Sequence, residues 1–264
     1  MTEKLNGATR LFPIIGDPIR FVKSPQKLTR GFVARGHNAL CLPMQVANDD
    51  LDVVMRALTL TANVDGLLVT MPHKQSAFAY CASVSDTARL LGAVSVMRRN
   101  ADGTWHGDML DGLAFVKAQT DHGAHVSDGR ALLIGAGAAG SAIAIALLEA
   151  GISELIIHDA DEARSAWLAG KLGEPDRRRV RVGPANPTGC TLVFNATPMG
   201  LHGDDPLPLR RDLLDASMFV GDVIAGHGVT PLLAAAQAAG CKTANGVQMV
   251  EAVQEMMLVF LLGE

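Results

Sequence analysis

Short hydrophobic runs alternate along the chain with longer segments in which apolar residues recur at helical spacing. The short runs are typical of buried strands and cover residues 10–16, 39–46, 64–70, 131–134, 191–196, 218–223 and 242–245. The longer segments have the spacing of helices that bury one face and cover residues 24–36, 51–60, 108–119, 161–172, 230–239 and 246–262. Strands that alternate with helices predict an α/β chain built on parallel sheets.

Local signals indicate where some of these elements begin and end. Ser24 and Pro25 predict a helix start, with the serine as N-cap and the proline in the first turn. Asn48 is a second candidate N-cap, in front of the helix predicted over 51–60. The stretch Asn100-Ala-Asp-Gly103 lies between two short runs and is typical of a β-hairpin turn.

The segment from residue 130 to residue 159 predicts a dinucleotide-binding unit. Its buried strand is followed at once by Gly135, Gly137 and Gly140, and then by an alanine-rich helix and a second apolar run. Gly135 permits the tight turn, Gly137 leaves room for a pyrophosphate, and Gly140 lets the helix lie close to the strand. A helix N-terminus also offers N–H groups and the positive end of its dipole to the phosphates.

An acidic residue completes this pattern. Asp159 follows the second apolar run, about 20 residues after the glycines, where such units contact a ribose. The predicted cofactor site therefore contains Asp159 and the whole turn, namely Gly135, Ala136, Gly137, Ala138, Ala139 and Gly140. A glycine-rich turn that binds nothing is the alternative for the glycines alone.

Composition limits the partners that this chain can have. The 264 residues carry a formal net charge of −4 at pH 7 and only 4% are aromatic, which argues against a nucleic-acid partner. With 48% hydrophobic and 19% charged residues, the composition is that of an ordinary soluble protein. No apolar run approaches the length of a membrane span, so we expect no membrane partner.

The cysteines and the N-terminal segment indicate a compartment. Cys41, Cys81, Cys190 and Cys241 are widely spaced, and neither they nor the eight histidines form a metal-ligand pattern. We therefore expect no metal, no disulfide framework, and buried thiols in a reducing compartment. The N-terminal segment is polar and lacks the apolar stretch of a signal peptide. These features predict a cytoplasmic protein. Separately, we expect a monomer or a homodimer whose partner is a small molecule.

Five segments follow one another in an order that resembles the shikimate dehydrogenase family. They are 16–25 with Ser24, 66–74 with Thr70 and Lys74, 91–112 with Asp111, 195–200 with Asn195 and Thr197, and 222–246 with Val223 and Gly246. The resemblance spans nearly the whole chain. It implies an oxidoreductase that transfers a hydride between a nicotinamide and a ring hydroxyl or ketone of a shikimate- or quinate-like cyclic hydroxy acid.

The resemblance also implies a two-domain α/β architecture with the active site in the cleft between the domains. Residues 1–112 and 246–264 would form an N-terminal α/β substrate domain, and residues 113–245 a C-terminal Rossmann domain that binds NAD(P). Asn195, Thr197, Val223 and Gly246 would join the glycine-rich turn in the cofactor site.

In the family a lysine and an aspartate act together on the hydroxyl that is oxidised, and the matching residues here are Lys74 and Asp111. Removing the hydroxyl proton requires a base, and a lysine with a reference pKa of about 10.4 needs burial or neighbours that lower it. Taken alone, Lys74 fits a solvated loop lysine and Asp111 a carboxylate at a helix start. The ordered motifs favour catalysis. His73 and His158 are interpreted as incidental neighbours of the motifs.

The departures from the family pattern are all at positions that bind the substrate in the family. The usual polar groups are replaced at Val22, Leu68, Ser95, Ala225 and Val253. Ser24 and Thr70 are retained, so the predicted substrate site contains Ser24, Thr70, Ser95, Val22 and Val253. Four lost hydrogen bonds would cost shikimate about 2–6 kcal/mol. We therefore expect a related cyclic acid that is less hydroxylated or differently substituted.

The residues after the second Rossmann strand predict NAD rather than NADP. Family members that use NADP carry an arginine there, whereas this chain has His158, Asp159 and Ala160. A carboxylate accepts from a ribose 2′-hydroxyl and repels a 2′-phosphate, and Arg164 would have to reach past Asp159. Two alternatives stay open: an ordinary shikimate dehydrogenase whose substrate contacts come from other residues, and a non-catalytic NAD-binding sensor.

Overall fold

A computed structural model describes residues 5–20, 22–202, 204–225 and 228–264. The chain divides into two compact units: the first runs to Leu110 and includes Gln254–Glu264, and the second covers Asp111–Val253. The boundary after Leu110 lies near the predicted bound at 112. The boundary after Val253 lies about two helical turns beyond the predicted bound at 245. The prediction about a signal peptide rests partly on residues 1–4, which lie outside the described residues, as does Phe21 of the first family motif.

The first unit is built on one sheet. Its elements are β1 (Arg10–Gly16), α1 (Ser24–Ala34), β2 (Ala39–Gln45), α2 (Leu51–Leu60), β3 (Gly66–Val69), α3 (Lys74–Phe78), β4 (Cys81–Val84), α4 (Asp86–Leu91), β5 (Val96–Arg99), β6 (Trp105–Asp108) and the end of the last helix, α9 (Gly246–Leu262). The strands are ordered β2-β1-β3-β5-β6-β4. The α/β class is confirmed, but parallel pairing throughout is wrong for this sheet. The predicted hairpin joins β5 to β6, and β5 is antiparallel to both β6 and its other neighbour, β3.

The last helix closes the core of the first unit. A Cβ at Gly31 would lie 2.3 Å from Leu258, and one at Gly66 would lie 2.4 Å from Leu261. The absence of a side chain at these two glycines therefore lets the apolar face of α9 reach α1 and β3.

Three predictions about element ends are wrong. Ser24 is not an N-cap, because Lys23 already has helical dihedral angles (φ −103°, ψ −8°) and no side-chain hydrogen bond caps α1. Asn48 begins a short 3₁₀ turn instead of capping α2. The helix predicted from residue 108 begins at Asp111, because Asp108 is still paired in the sheet.

The second unit is built on a parallel sheet. Its elements are α5 (Asp111–Asp121), β7 (Arg130–Ile134), α6 (Ala138–Glu149), β8 (Glu154–His158), α7 (Glu162–Lys171), β9 (Val180–Val182), β10 (Leu192–Asn195), β11 (Phe219–Asp222), α8 (Pro231–Ala238), β12 (Lys242–Ala244) and the start of α9. The strands are ordered β12-β11-β10-β7-β8-β9, and the pairs are parallel. The order reverses between β7 and β10. In open α/β sheets, ligands bind outside the carboxyl ends of the strands at this topological switch point.

Two short edge strands carry little hydrophobic signal and were not predicted. β4 contains a serine and an alanine that are exposed and has no fully buried residue. β9 directly follows a run of arginines and is itself half-buried to exposed. Both strands form because a neighbouring strand, β6 or β8, is already fixed in the sheet.

The helices α5 and α6 pack closely within the second unit. A Cβ at Gly112 would lie 2.0 Å from the carbonyl oxygen of Ala142, so this approach requires glycine. Helix α6 is buried along most of its length, which explains why its sequence is apolar on every side rather than on one stripe.

The remaining expectations concern the cysteines, metals and membranes. All four thiols are free; Cys41, Cys190 and Cys241 are buried, while Cys81 is only half-buried. Across the described ranges, no group of His, Cys, Asp and Glu side chains is arranged to hold a metal ion. No helix formed by described residues has the length and apolar composition needed to span a membrane.

Candidate active site

The glycine-rich turn lies at the topological switch point of the second unit. Gly135 has a left-handed φ of 106°, and a Cβ there would lie 2.8 Å from the carbonyl carbon of Ala196. A Cβ at Gly140 would lie 1.9 Å from the carbonyl oxygen of Gly135, so only glycine lets α6 start so close to the turn. By contrast, a Cβ at Gly137 would have no neighbouring atom within 4 Å.

These residues fit the diphosphate of a dinucleotide. Gly137 is the N-cap of α6 and provides no side-chain cap, so the N–H groups of Ala138, Ala139 and Gly140 lack helical acceptors. Together with the helix dipole they attract an anion. The open space beside Gly137 leaves room for the phosphates to approach the backbone.

Asp159 is tied to the glycine-rich turn. Its Oδ2 accepts a hydrogen bond from the Ala136 N–H (2.7 Å), and its Oδ1 accepts one from the Asp161 N–H (2.9 Å). Each carboxylate oxygen has further acceptor capacity, so ribose hydroxyls can still bind to the half-buried side chain. Arg164 forms an ion pair with Asp161 (3.5 Å), the next acidic residue along the chain.

The loop after β10, residues 195–200, is built on the side chain of Asn195. Its buried Oδ1 accepts from the N–H (3.1 Å) and hydroxyl (2.6 Å) of Thr197, and its Nδ2 donates to the Met199 carbonyl oxygen (3.2 Å). The Thr197 hydroxyl oxygen accepts in turn from the Met199 N–H (3.1 Å). Both side chains thus shape the loop, and a role for them in cofactor binding stays a prediction.

Asp222 ends β11 in a fully buried position. Its Oδ1 accepts from Asn195 Nδ2 and from the Ile224 N–H, at 3.1 Å each, and its Oδ2 accepts from the Thr230 hydroxyl (2.7 Å). Burial raises the pKa of Asp222 above its ordinary value, and these hydrogen bonds oppose the shift only in part. The sequence analysis gave Asp222 no role, because no local pattern shows that it meets Asn195, which lies 27 residues away along the chain.

Val223 and Gly246 lie beside each other, as residues of one binding site would. A Cβ at Gly246 would lie 2.2 Å from the carbonyl oxygen of Val223, so α9 begins in contact with the chain after β11. Because the carboxyl ends of parallel strands meet at one edge, both residues lie at the same edge of the sheet as the glycine-rich turn.

In the first unit, the loop that leads to Lys74 lies against the end of β1. The Thr70 N–H donates to the Ile15 carbonyl oxygen (3.0 Å), and the Asp17 N–H donates to the Met71 carbonyl oxygen (2.9 Å). A Cβ at Gly16 would lie 2.4 Å from Thr70 Cγ2. β1 and β3 are the neighbours between which the strand order of this sheet reverses. The loop therefore lies at the topological switch point of the first unit.

His73 fixes the backbone next to Lys74. Its ring is fully buried, and Nε2 donates a hydrogen bond to the Val46 carbonyl oxygen (2.7 Å). Lys74 is half-buried as the first residue of α3, and its carbonyl oxygen accepts from the Val94 N–H (2.9 Å). His73 therefore has a structural role beside the motif, and its interpretation as an incidental neighbour with no catalytic part stays a prediction. The only sequence signal was its position beside the motif lysine.

Two of the positions that depart from the family pattern lie inside the core of the first unit. Ser95 is fully buried, and its Oγ accepts a hydrogen bond from the Leu110 N–H (2.9 Å). Leu68 lies in β3 and is 1% exposed. The Ser95 hydroxyl is thus engaged by the backbone, and Leu68 offers no polar group.

The other predicted substrate residues are more accessible. Ser24, Val22 and Thr70 in the first unit and Val253 on α9 are half-buried. Gln254, next to Val253, is 5% exposed, and its Nε2 has no hydrogen-bond acceptor among the described residues. No contact between these residues and a substrate is tested, so their roles stay predictions.

Lys74 belongs to the first unit and Asp111 to the second. Each is the first residue of its helix and each is half-buried. A half-buried amine and a half-buried carboxylate have the chemistry that proton transfer from a hydroxyl requires. Their joint action on one substrate stays a prediction.

Residues 14–97 match the family described as the shikimate dehydrogenase substrate binding domain. The chain is also similar to a shikimate dehydrogenase (NADP(+)) from Rubrobacter xylanophilus. The two are 34% identical over 253 residues, which cover 94% of this chain and 88% of the relative.

Solved structures agree with this similarity. Shikimate 5-dehydrogenase from Listeria monocytogenes, in complex with shikimate and NAD, matches with a TM-score of 0.93 and 25% identity over 100% of this chain and 95% of that chain. Quinate dehydrogenase from Corynebacterium glutamicum, in complex with NAD, matches with a TM-score of 0.86 and 26% identity over 97% and 94% of the two chains. With 34% identity across nearly the full length of a relative, the chain belongs to the shikimate dehydrogenase family of NAD(P)-dependent oxidoreductases.

Proposed function

We propose that the chain is a shikimate dehydrogenase, which interconverts shikimate and 3-dehydroshikimate by hydride transfer. The observation that carries the proposal is the glycine-rich turn at the topological switch point, bonded to Asp159 and packed on Ala196. The Rubrobacter relative has this activity in its name, and the Listeria structure contains shikimate and NAD. These comparisons favour shikimate over the altered acid that the sequence analysis expects.

The cofactor, when bound, supplies the hydride acceptor in one direction and the hydride donor in the other. In the turn 135–140, the N–H groups of Ala138, Ala139 and Gly140 would hold its diphosphate, and Asp159 would hold a ribose. We propose that NAD is preferred, because the Asp159 carboxylate repels a 2′-phosphate and Arg164 pairs with Asp161. The relatives support either choice, since one is named for NADP(+) and another was solved with NAD.

The residues of the first unit would bind the substrate and move its proton. Lys74 would take the hydroxyl proton when the ring carbon is oxidised and return it when the ketone is reduced. Thr70 and Ser24 would hydrogen-bond the substrate. Asp111 would orient the Lys74 amine and share the substrate hydroxyl.

A second candidate is a less hydroxylated or differently substituted cyclic acid. It is favoured by Leu68 and Ser95, which stand where family members carry asparagines. Leu68 has no hydrogen-bonding group, and the Ser95 hydroxyl oxygen already accepts from the Leu110 N–H. Each lost substrate hydrogen bond would cost roughly 0.5–1.5 kcal/mol of binding free energy.

Steady-state kinetics with shikimate, quinate and other cyclic hydroxy acids, each with NAD and with NADP, decides between the candidates. A kcat/KM for shikimate above about 10⁵ M⁻¹s⁻¹ lies well within the usual enzyme range and would support the first candidate. A lower value, together with faster turnover of another acid, would support the second. Nucleotide binding without hydride transfer from any acid would instead indicate the sensor. The cytoplasmic location and the monomeric or homodimeric state stay predictions.

A further inference from the structure

A buried hydrogen-bond network connects the chain after β10 with the chain after β11. It is centred on Asp222, whose carboxylate accepts from Asn195 Nδ2, from the Ile224 N–H and from the Thr230 hydroxyl. The side chains of Asn195, Asp222 and Thr230 are all fully buried. Without the carboxylate, the buried Thr230 hydroxyl would lose its acceptor away from water, which is costly. The network therefore fixes the two chain segments relative to each other.

On one side, the network reaches the glycine-rich turn. Asn195 Oδ1 accepts from both the N–H and the hydroxyl of Thr197, which curls the loop 195–200 around this side chain. Ala196, which follows Asn195, lies directly on Gly135: a Cβ at Gly135 would come within 2.8 Å of the carbonyl carbon of Ala196. Asp222 thereby sets where the loop meets the turn.

On the other side, the network reaches helix α8. The Thr230 hydroxyl donates to Asp222 and accepts from the Leu233 N–H (3.3 Å), so it is also the N-cap of α8. Gly200, at the end of the loop 195–200, lies against this helix start, with its Cβ position 3.5 Å from Pro231. Both ends of the loop are thus connected to Asp222. Asn195 contacts it directly, and Gly200 lies against the start of α8, where Thr230 contacts it.

The sheet topology indicates which part of a dinucleotide this loop faces. A Rossmann sheet binds a dinucleotide across the switch point, with one mononucleotide on each half. Asp159, the candidate ribose acceptor, follows β8 and marks the half with β7, β8 and β9 as the adenosine side. The half with β10, β11 and β12, to which the loop 195–200 belongs, then faces the nicotinamide.

We propose that Asp222 is a positioning residue for the nicotinamide end of the cofactor. It acts through Asn195 and the loop 195–200 and does not touch the cofactor, since its carboxylate is buried and occupied by protein donors. The inference rests on the proposed NAD(P)-dependent function and adds the residue that holds the nicotinamide-facing loop in place.

Isothermal titration calorimetry with two ligands tests the proposal: NADH, and ADP-ribose, which lacks the nicotinamide. If NADPH binds more tightly than NADH, NADPH and 2′-phospho-ADP-ribose take their place. For Asp222→Ala we expect the Kd of NADH to rise about tenfold, while the Kd of ADP-ribose stays within about twofold of the wild type. A residue that only stabilised the unit would change both values together.

Two further variants sharpen the test. Asp222→Asn should bind NADH nearly as the wild type does, because its Oδ1 still accepts from Asn195 and Ile224, and the Thr230 hydroxyl can turn to accept from the new amide. Asp215→Ala is the matched control, since this exposed carboxylate caps only its own turn, accepting from the Ser217 N–H (2.8 Å). It should bind both ligands like the wild type.

If Asp222→Ala does not fold, Asn195→Ala carries the same test, because it removes the link to the loop and leaves the carboxylate in place. Equal changes in both Kd values, or no change in either, would overturn the proposal. A wild-type protein that binds neither NADH nor NADPH would contradict the proposed function as well. A wild type that binds normally, with variants that show no difference between the ligands, would contradict only the assignment to Asp222.

Discussion

Oxidation of a substrate hydroxyl requires a group that takes up the hydroxyl proton, and Lys74 is the candidate. Lys74 is half-buried at the start of α3, behind a loop that His73 and Thr70 hold in place. We predict that Lys74→Ala lowers kcat by about 10²–10⁴, the range expected for the loss of a general base. The Kd of NADH should barely change, because the glycine-rich turn belongs to the other unit. Steady-state kinetics and a fluorescence titration measure the two quantities.

Asp111 is expected to act with Lys74 as one catalytic unit. Asp111→Asn should also be severely impaired, and the double variant should be little slower than the slower single variant, because residues that act together are not additive. Lys117→Ala is a matched control, since this exposed lysine pairs with Asp121 (2.9 Å) and should leave kcat unchanged. Fully additive losses would mean that Lys74 and Asp111 have independent roles, and a near-normal kcat for Lys74→Ala would remove the mechanism.

We also expect a single residue, Asp159, to select the cofactor. Asp159→Asn keeps an acceptor for the Ala136 N–H and removes the negative charge. A unit charge a few ångströms from a phosphate costs about 1 kcal/mol or more, so we predict that the ratio of kcat/KM with NADP to that with NAD rises at least about tenfold. Asp121→Asn, in an exposed acid that pairs with Lys117, should change this ratio little. An unaltered ratio in Asp159→Asn would show that Asp159 does not select the cofactor.

At the scale of elements, two glycines of the strand–turn–helix unit are expected to differ in role: one matters for cofactor binding alone, and the other for folding as well. Gly137 is surrounded by open space, whereas a Cβ at Gly140 would lie 1.9 Å from the carbonyl oxygen of Gly135. We predict that Gly137→Ala leaves the Tm nearly unchanged but weakens NADH binding, because its methyl group occupies the space proposed for the diphosphate. Gly140→Ala should lower both the Tm and the affinity, because α6 must move away from the turn. Thermal unfolding and calorimetric titration distinguish the two effects.

A third glycine provides the control for this pair. Gly170 lies within α7, and a Cβ there would also have no neighbour within 4 Å. Gly170→Ala should therefore stabilise the helix slightly, by about 0.5–1 kcal/mol, and leave NADH binding unchanged. If Gly137→Ala behaves like Gly170→Ala in both measurements, the diphosphate does not lie at the turn.

At the scale of the whole molecule, stability depends on pH through groups whose pKa changes on folding. Burial raises the pKa of Asp222 above its ordinary value of 3.8, opposed in part by hydrogen bonds from Thr230, Ile224 and Asn195. The folded state then holds this proton more tightly than the unfolded state. The stabilisation from protonated Asp222 is complete below pH 3.8 and is lost as the pH rises through the higher pKa of the folded state.

We predict that the Tm of the wild type, relative to that of Asp222→Asn, falls as the pH rises from 3.8 through the raised pKa. Asp215→Asn gives the opposite sign, because a hydrogen bond from the Ser217 hydroxyl lowers the pKa of Asp215. The stabilisation from ionised Asp215 is present above the pKa that this group has in the unfolded state. It is lost as the pH falls through the lower pKa of the folded state. Thermal scans of the three proteins between pH 3 and 7 measure both trends. A constant Tm difference for Asp222→Asn would contradict the prediction.

The sequence by itself determined the parts of this protein whose physical causes are local. The strand, the glycines and the helix of residues 130–159 follow from hydrophobic pattern and glycine conformation within one short segment, and the hairpin at 100–103 follows from its turn residues. The family motifs and their order could also be identified, because each motif is a short, continuous segment of the chain. The family and the α/β class therefore follow from the amino-acid sequence alone.

Only the tertiary structure decided the features whose partners are distant along the chain. The His73 ring meets the Val46 carbonyl oxygen and Asn195 meets Asp222, and in each pair the partners are 27 residues apart. The strands β4 and β9 exist because a neighbouring strand pairs with them, not because of their own composition. A hydrogen bond or a strand pairing of this kind depends on where the sheet brings two segments together, and no local pattern records it.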